Sequence, residues 1–355
     1  MEHAAVAARP LRHSRLPGSR TRLACSVGRA TSDEALVAAL LERGVTDFRF
    51  PLGKADVAEQ LAWSARVHDL AAERGARVRL SLDLPGSKPR LANREPLKLA
   101  RGTRVELRPT PDPAEEIPGA LVIGTTGFDF AACRPGDVLV VGDGENAFRV
   151  EAAAPGALTA RALTDWPLGR RKGISVEGRP LAHRCLTAQD QAALRAVERW
   201  VFSSVMASFV ESAEDVARVR RFLAALETAR GRTVRVAAKV ETARAVANVE
   251  EICAAADAVV LARGDLLVSV GPVEFPAACA RVVQAAREAG RPVIVATQLL
   301  STLGSQWLPH RSELEALARL VRRGVDGLLL TSETAGPDPL RTVDLALALI
   351  ARYSR

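Results

Sequence analysis

From Arg22 onward the chain alternates short apolar or β-branched runs with longer segments whose apolar residues recur every three to four positions. Runs of the first kind suit strands buried on both faces, segments of the second kind suit amphipathic helices, and their alternation is the pattern of βα units around a parallel sheet. The pattern predicts strands at 23–27, 47–51, 78–82, 205–209, 234–240, 258–262, 293–296 and 327–330. Helices are predicted at 33–43, 55–74, 213–229, 243–255, 275–289, 312–323 and 340–351. Eight strands interleaved with helices argue for an α/β fold of the (β/α)8 TIM-barrel type. The rhythm breaks once, between about 91 and 184, where short strands (104–108, 137–141, 147–152) are separated by Pro and Gly turns. This interval reads as a small all-β domain inserted after the third strand. Loops that follow barrel strands emerge at the C-terminal face, so the insertion is expected over the barrel mouth as a lid. The expected division is a disordered basic tail over 1–20, barrel over 21–90, lid over 91–184 and barrel again over 185–355.

Composition narrows the class without changing the fold. Of 355 residues 48% are hydrophobic, which supplies ample core, and no apolar run of 18 or more residues lacks a charge, so no membrane span is expected. The net charge of +8 is spread along the chain, apart from Arg9, Arg12, Arg15, Arg20 and Arg22, and does not predict nucleic-acid binding. Only five of the 49 basic residues are lysines: Lys54, Lys88, Lys98, Lys172 and Lys239. In a chain so biased to arginine, a retained lysine marks a position where a compact ammonium can do what a planar guanidinium cannot. Five dispersed cysteines with no C-x-x-C pair indicate neither a disulfide framework nor a zinc site, and a reducing cytoplasm is the expected location.

Candidate chemistry gathers at the ends of the later strands. In Ala237-Ala238-Lys239-Val240-Glu241 the period-two alternation of a strand sends Lys239 and Glu241 to the same side. A lysine in an apolar strand is costly unless it is paired or used. The next strand ends Ala262-Arg263-Gly264-Asp265, where Gly264 admits a ligand close to backbone N–H groups. Glu241 and Asp265 form a two-carboxylate pair suited to Mg2+ or Mn2+. Thr297-Gln298 and Ser332-Glu333-Thr334 add further polar groups to the same rim.

These motifs resemble those of the pyruvate kinase family over roughly 22–350. The matching segments include Thr21-Arg22-Leu23-Ala24-Cys25-Ser26-Val27-Gly28, Asp83-Leu84-Pro85-Gly86-Ser87-Lys88-Pro89-Arg90, Leu186-Thr187-Ala188-Gln189-Asp190, Ala207-Ser208-Phe209-Val210, Lys239-Val240-Glu241-Thr242, Ala262-Arg263-Gly264-Asp265-Leu266 and Val295-Ala296-Thr297-Gln298-Leu299. The resemblance implies transfer of the phosphoryl group of phosphoenolpyruvate to ADP, followed by protonation of the enolate. It assigns the divalent metal, Mg2+ or Mn2+, to Glu241 and Asp265. Lys239 falls to the phosphoryl and enolate oxygens, Arg49 and Ser208 to the phosphoryl group, and Gly264 with Asp265 to the substrate carboxylate. Thr297 takes the protonation face, and Arg90, Lys172 and Lys54 take the nucleotide.

Departures from the family pattern carry their own expectations. Pro51-Leu52-Gly53-Lys54 stands in place of the Asn-Phe-Ser-His block that helps bind K+, whereas Leu84 and Lys88 match members that need no K+, with Lys88 as an internal cation. Arg29, Lys54, Ser175 and Glu211 replace residues of the nucleotide side, so the acceptor half has drifted more than the phosphoenolpyruvate half. The sequence stops at Arg355, after the eighth barrel helix, which leaves out the family's C-terminal domain and favours a homodimer or monomer. Two alternatives to the kinase reading are phosphoenolpyruvate or enolate chemistry on a different acceptor and a metal-dependent pyruvate-type lyase.

Overall fold

The computed structural model describes residues 21–28, 33–53, 56–110, 115–117, 119–178, 183–227, 233–331 and 338–354. The basic tail over 1–20, Arg29, Lys54 and the rim residues Ser332, Glu333 and Thr334 lie outside them. The chain begins with β1 (Arg22–Ser26), α1 (Glu34–Glu42), β2 (Asp47–Pro51), α2 (Val57–Glu73) and β3 (Arg79–Leu84). A second set of strands follows: β4 (Arg90–Leu91), β5 (Arg104–Arg108), β6 (Glu115–Ile117), β7 (Ala120–Thr126), β8 (Val138–Val141), β9 (Asn146–Ala154), β10 (Ala157–Ala162) and β11 (Ile174–Val176). The remainder is α3 (Ala188–Arg195), β12 (Ser204–Ala207), α4 (Ala213–Glu227), β13 (Arg235–Val240), α5 (Ala243–Ala247), α6 (Val249–Ala255), β14 (Ala258–Ala262), α7 (Arg263–Glu288), β15 (Val293–Ala296), α8 (Arg311–Arg322), β16 (Gly327–Leu330) and α9 (Pro339–Tyr353).

Strands β1, β2, β3, β12, β13, β14, β15 and β16 form a closed parallel barrel, sealed where Arg22 to Cys25 pair with Gly327 to Leu330. Side-chain alternation sorts each strand into two sets. Leu80, Leu82 and Leu84, Val236, Ala238 and Val240, and Val259 and Leu261 belong to the main core, which the surrounding helices share. The opposite parity builds the barrel interior, where Met206, Ala237, Val260, Ala296 and Leu329 form a small apolar plug. Above that plug the same parity carries polar residues, and this is why the mouth is hydrophilic although the strands are apolar.

Strands β4 to β11 form a separate sheet with its own core, including Val105, Leu107, Ile123, Phe148, Val150 and Leu158. A core of its own marks the inserted sheet as a distinct structural unit. It is tied to the barrel where the chain leaves and returns. Ser87 N donates to Arg184 O at 3.0 Å, and Arg184 N donates to Ser87 Oγ at 2.7 Å. Gly86 makes that crossing possible: its φ is +61°, and a Cβ there would lie 3.0 Å from Arg184 O.

Helix boundaries differ from the pattern in three places. The helix expected over 243–255 is broken into α5 and α6 at Asn248, whose φ of −103° and ψ of 18° leave the helical well. The helix expected to begin at 275 begins at Arg263 and is kinked at Gly271 (φ 77°, ψ 162°), directly before Pro272. Glycine takes that conformation freely, and the following proline cannot donate the N–H that an unbroken helix needs. By length and composition α7 could cross a membrane. However, the kink interrupts it, and Ala278, Val282, Val283, Ala285 and Ala286 are buried in the barrel core. Helix α3 was not expected from the periodicity, although Thr187 and Asp190 form a capping box at its start.

Candidate active site

One cleft at the C-terminal ends of the barrel strands is lined by Arg49, Asp83, Lys88, Arg90, Ser208, Lys239, Glu241, Gly264, Asp265 and Thr297, with Asp143 reaching in from the second sheet. Strand parity explains the barrel half of this set. Arg49, Asp83 and Lys239 share the inward parity of the apolar plug, so their strands direct all three into the barrel mouth. Arg49 lies on β2, Asp83 on the neighbouring β3, and Lys239 on β13, one strand beyond β12.

Their charges interlock. Arg49 Nε donates to Asp83 Oδ2 at 2.6 Å, its Nη2 forms an ion pair with the same oxygen, and its Nη1 donates to Ser26 Oγ at 3.0 Å. The Lys239 ammonium donates to Ser208 Oγ at 2.7 Å and lies 3.0 Å from Glu241 Oε1 and 3.5 Å from Asp83 Oδ1. Glu241 Oε2 accepts the Phe209 N–H at 2.8 Å. That contact is available because Phe209 turns out of the strand with φ +54°, which also ends β12 earlier than the sequence pattern predicted.

Burial and pairing pull against each other here. Burial raises the Asp83 carboxyl, but the Arg49 and Lys239 charges outweigh it and leave the group below its ordinary range. Burial lowers the Lys239 ammonium, yet Asp83 and Glu241 hold it above its usual value, so it stays charged. Glu241 is raised by burial, against the pull of Lys239 and with a further push from Asp265. Asp265 goes the other way: burial raises it, but Lys88 beside it leaves it lowered.

Lys88 Nζ bonds both oxygens of Asp265, at 2.6 and 2.9 Å. It passes over Gly173, where a Cβ would lie 2.1 Å from Lys88 Cε, so the glycine makes room for the ammonium. Gly264 serves a similar purpose at the start of α7. A Cβ there would come within 2.6 Å of Asp143 Oδ1 and 3.2 Å of Thr297 Cγ2.

Most residues singled out in the sequence therefore share the cleft. Lys172 is not among its lining residues; its ammonium pairs with Glu145 at 3.0 Å. Arg90 lines the cleft and donates to Arg171 O at 3.2 Å, with burial lowering its pKa. The sequence pattern assigns no role to Asp83, Ser26 or Asp143. Asp83 carried a usable signal, an acid within the apolar run of β3 at the same parity as its neighbours on the rim. Asp143 carried none, because it sits in an ordinary Gly-Asp-Gly turn and reaches Gly264 only through docking of the second sheet on the barrel.

Comparison with known proteins gives the cleft a family. The family described as "Pyruvate kinase, barrel domain" matches residues 18–343. A pyruvate kinase of Aeropyrum pernix is 31% identical over 335 residues, covering 93% of this chain and 70% of that protein. One of Corynebacterium efficiens is 31% identical over 337 residues, covering 94% and 70%. The crystal structure of pyruvate kinase from Pyrobaculum aerophilum superposes with a TM-score of 0.79 at 27% identity, over 95% of this chain and 74% of that one. Cryptosporidium parvum pyruvate kinase in complex with ADP gives a TM-score of 0.86 over 94% and 68% of the two chains, a likeness of fold at 21% identity. The chain thus belongs to the pyruvate kinase family and is a phosphotransferase of that kind.

Proposed function

We propose that this chain transfers the phosphoryl group of phosphoenolpyruvate to ADP, releases pyruvate, and does so without K+. The observation that carries the reading is the Lys239 ammonium, fixed by Ser208 and Glu241 in a cleft shared with Arg49, Asp265 and Thr297. In the transfer, the bond from phosphorus to the enolate oxygen breaks and one to a terminal oxygen of ADP forms. Arg49 and Lys239 place fixed positive charge where the phosphoryl and enolate oxygens gather negative charge. The enolate then takes a proton at its CH2 carbon and its oxygen becomes the ketone of pyruvate. That proton comes from solvent through a water held by the Thr297 hydroxyl, since a threonine is too weak an acid to supply it alone.

Glu241 and Asp265 fit a hard divalent cation. Both are carboxylates lining one cleft, hard oxygen donors whose charge the Lys239 and Lys88 ammonium groups balance when no cation is bound. When bound there, Mg2+ or Mn2+ supplies further positive charge to the phosphoryl and enolate oxygens. Lys88 supports independence from K+, because its ammonium already brings a positive charge to the cleft at Asp265. Ser208 contacts the phosphoryl group, and the backbone N–H groups of Gly264 and Asp265 hold the substrate carboxylate. Arg90, Lys172 and Lys54 serve the nucleotide, with residues 91–184 closing over it as a lid.

A second reading, the same phosphoenolpyruvate chemistry on a different acceptor, is favoured by the pairing of Lys172, which is outside the cleft lining, with Glu145. One assay separates the two. Pyruvate release from phosphoenolpyruvate and Mg2+ is followed across a panel of nucleoside diphosphates and other acceptors, in K+-free buffer with tetramethylammonium holding ionic strength. Release with ADP alone is the expected result. Release only with another acceptor would select the second reading, and strong activation by K+ would remove Lys88 from its role as internal cation.

A further inference from the structure

Thr297 and Gln298 are consecutive non-glycine residues in the left-handed region, with φ of +76° and +51°. For a β-branched threonine this is a strained conformation, and each such residue persists only where its surroundings hold it. The restraint comes from one side chain. Arg263 Nε lies 3.3 Å from Ala296 O and 3.1 Å from Thr297 O, while its Nη2 bonds Thr297 O and, at 2.8 Å, Gln298 O. A single guanidinium thus gathers three successive carbonyls at the end of β15. It reaches them because Arg263 opens α7 immediately after Ala262, whose register partner on β15 is Ala296.

A planar guanidinium with several donors in fixed directions can hold three carbonyls at once; an ammonium, whose donors are three rotatable hydrogens on one atom, cannot match that fork. The threonine side chain is restrained as well. Its Cγ2 packs over Gly264, where a Cβ would approach to 3.2 Å, and a β-branched side chain with its methyl fixed also has its hydroxyl fixed. Arg263 itself is not among the residues lining the cleft.

We infer that Arg263 is a positioning residue for enolate protonation, acting through the Thr297 backbone to aim the Thr297 hydroxyl. This inference rests on the reading of Thr297 as the protonation residue. It separates Arg263 from Lys239, whose charge acts directly on the reacting atoms, and it gives the arginine a consequence in only one half of the reaction.

The test compares Arg263→Lys, Thr297→Val and the double variant in two assays. One follows nucleoside triphosphate formed from phosphoenolpyruvate and ADP in a single turnover, and the other follows solvent deuterium entering the pyruvate methyl group. Arg263→Lys is expected to slow deuterium entry about tenfold while leaving single-turnover phosphoryl transfer within about twofold. The double variant should be no slower in exchange than Thr297→Val alone, because both changes remove one device. Gln298→Gly placed in the Arg263→Lys background should restore part of the exchange, since glycine adopts positive φ without strain.

Equal loss in both assays would overturn the inference by making Arg263 a general structural support. Unchanged exchange in Arg263→Lys, with Thr297→Val still impaired, would overturn it and leave the Thr297 reading standing. If Thr297→Val itself damages both assays alike, the protonation reading fails, and the inference falls with it. A thermal melt of each variant accompanies the assays. If Arg263→Lys melts below the assay temperature, recovery of stability by Gln298→Gly without recovery of exchange would count against the inference.

Discussion

Lys239 and Lys172 are two of only five lysines in the chain, and each holds a glutamate at 3.0 Å. In the barrel mouth Lys239 and Glu241 have side chains 13% and 3% exposed, and Asp83, Ser208 and the Phe209 N–H complete the arrangement. On the second sheet Lys172 and Glu145 are 41% and 44% exposed. Equal distance therefore hides unequal consequence. A buried pair leaves an uncompensated charge when one partner is removed, whereas an exposed pair has water ready to replace it. A single strand fixes the first pair, since Lys239 lies on β13 and Glu241 follows directly at its end. The second depends on surface turns.

The largest effect that would break this comparison is expected at Asp83. Asp83→Asn removes the carboxylate that Arg49 and Lys239 share and should destabilise the fold by about 3–5 kcal/mol in denaturant unfolding. A loss below about 1 kcal/mol would mean that water reaches the mouth and that it behaves like the surface. Lys239→Met removes a charge needed most in the transition state, and kcat should fall by about 100- to 1,000-fold, or about 2.7–4 kcal/mol, in the ADP assay. Retention of more than about a tenth of the activity would take Lys239 out of the chemistry.

The seam between the two regions offers a pH test. His183 stacks on Phe209 at 4.1 Å between centroids, its Nδ1 lacks a hydrogen-bond partner among the described residues, and burial lowers its pKa from 6.5 to about 4. The unfolded chain thus binds this proton at a higher pH than the folded one, so the contribution is complete above pH 6.5 and is lost as pH falls toward 4. Stability measured by denaturant at pH 7 and pH 4 should drop further in the wild-type chain than in His183→Phe, by at most about 3 kcal/mol. Parallel curves would mean that the imidazole is hydrated when folded. The smallest effect is expected at Lys172→Ala, whose lost pair with Glu145 should cost less than about 1 kcal/mol and diminish further in salt. A larger, salt-insensitive loss would give both regions the same standing.

Much of the fold was legible because a parallel barrel writes itself as apolar runs at intervals, and the same alternation announced that Lys239 and Glu241 share a side. Asp83 escapes the pattern because the strand predicted over 78–82 stops one residue short of it, whereas β3 continues to Leu84. The break at Asn248 and the early start of α7 were hidden for a different reason. Apolar periodicity reports which face of a helix is buried but not where local dihedrals interrupt it.

The order of βα units, the inserted β segment and the inward parity of the charged residues follow from the sequence by itself, since each depends on spacing along one strand or helix. Tertiary structure alone decided that Lys88 bonds Asp265, that Asp143 approaches Gly264, that Lys172 pairs with Glu145, and that Arg263 clasps the carbonyls around Thr297. These contacts join loop, turn and helix-start residues that are distant in the sequence. Their geometry is set by barrel closure and by the docking of one core against another, and no periodicity within a single segment records it.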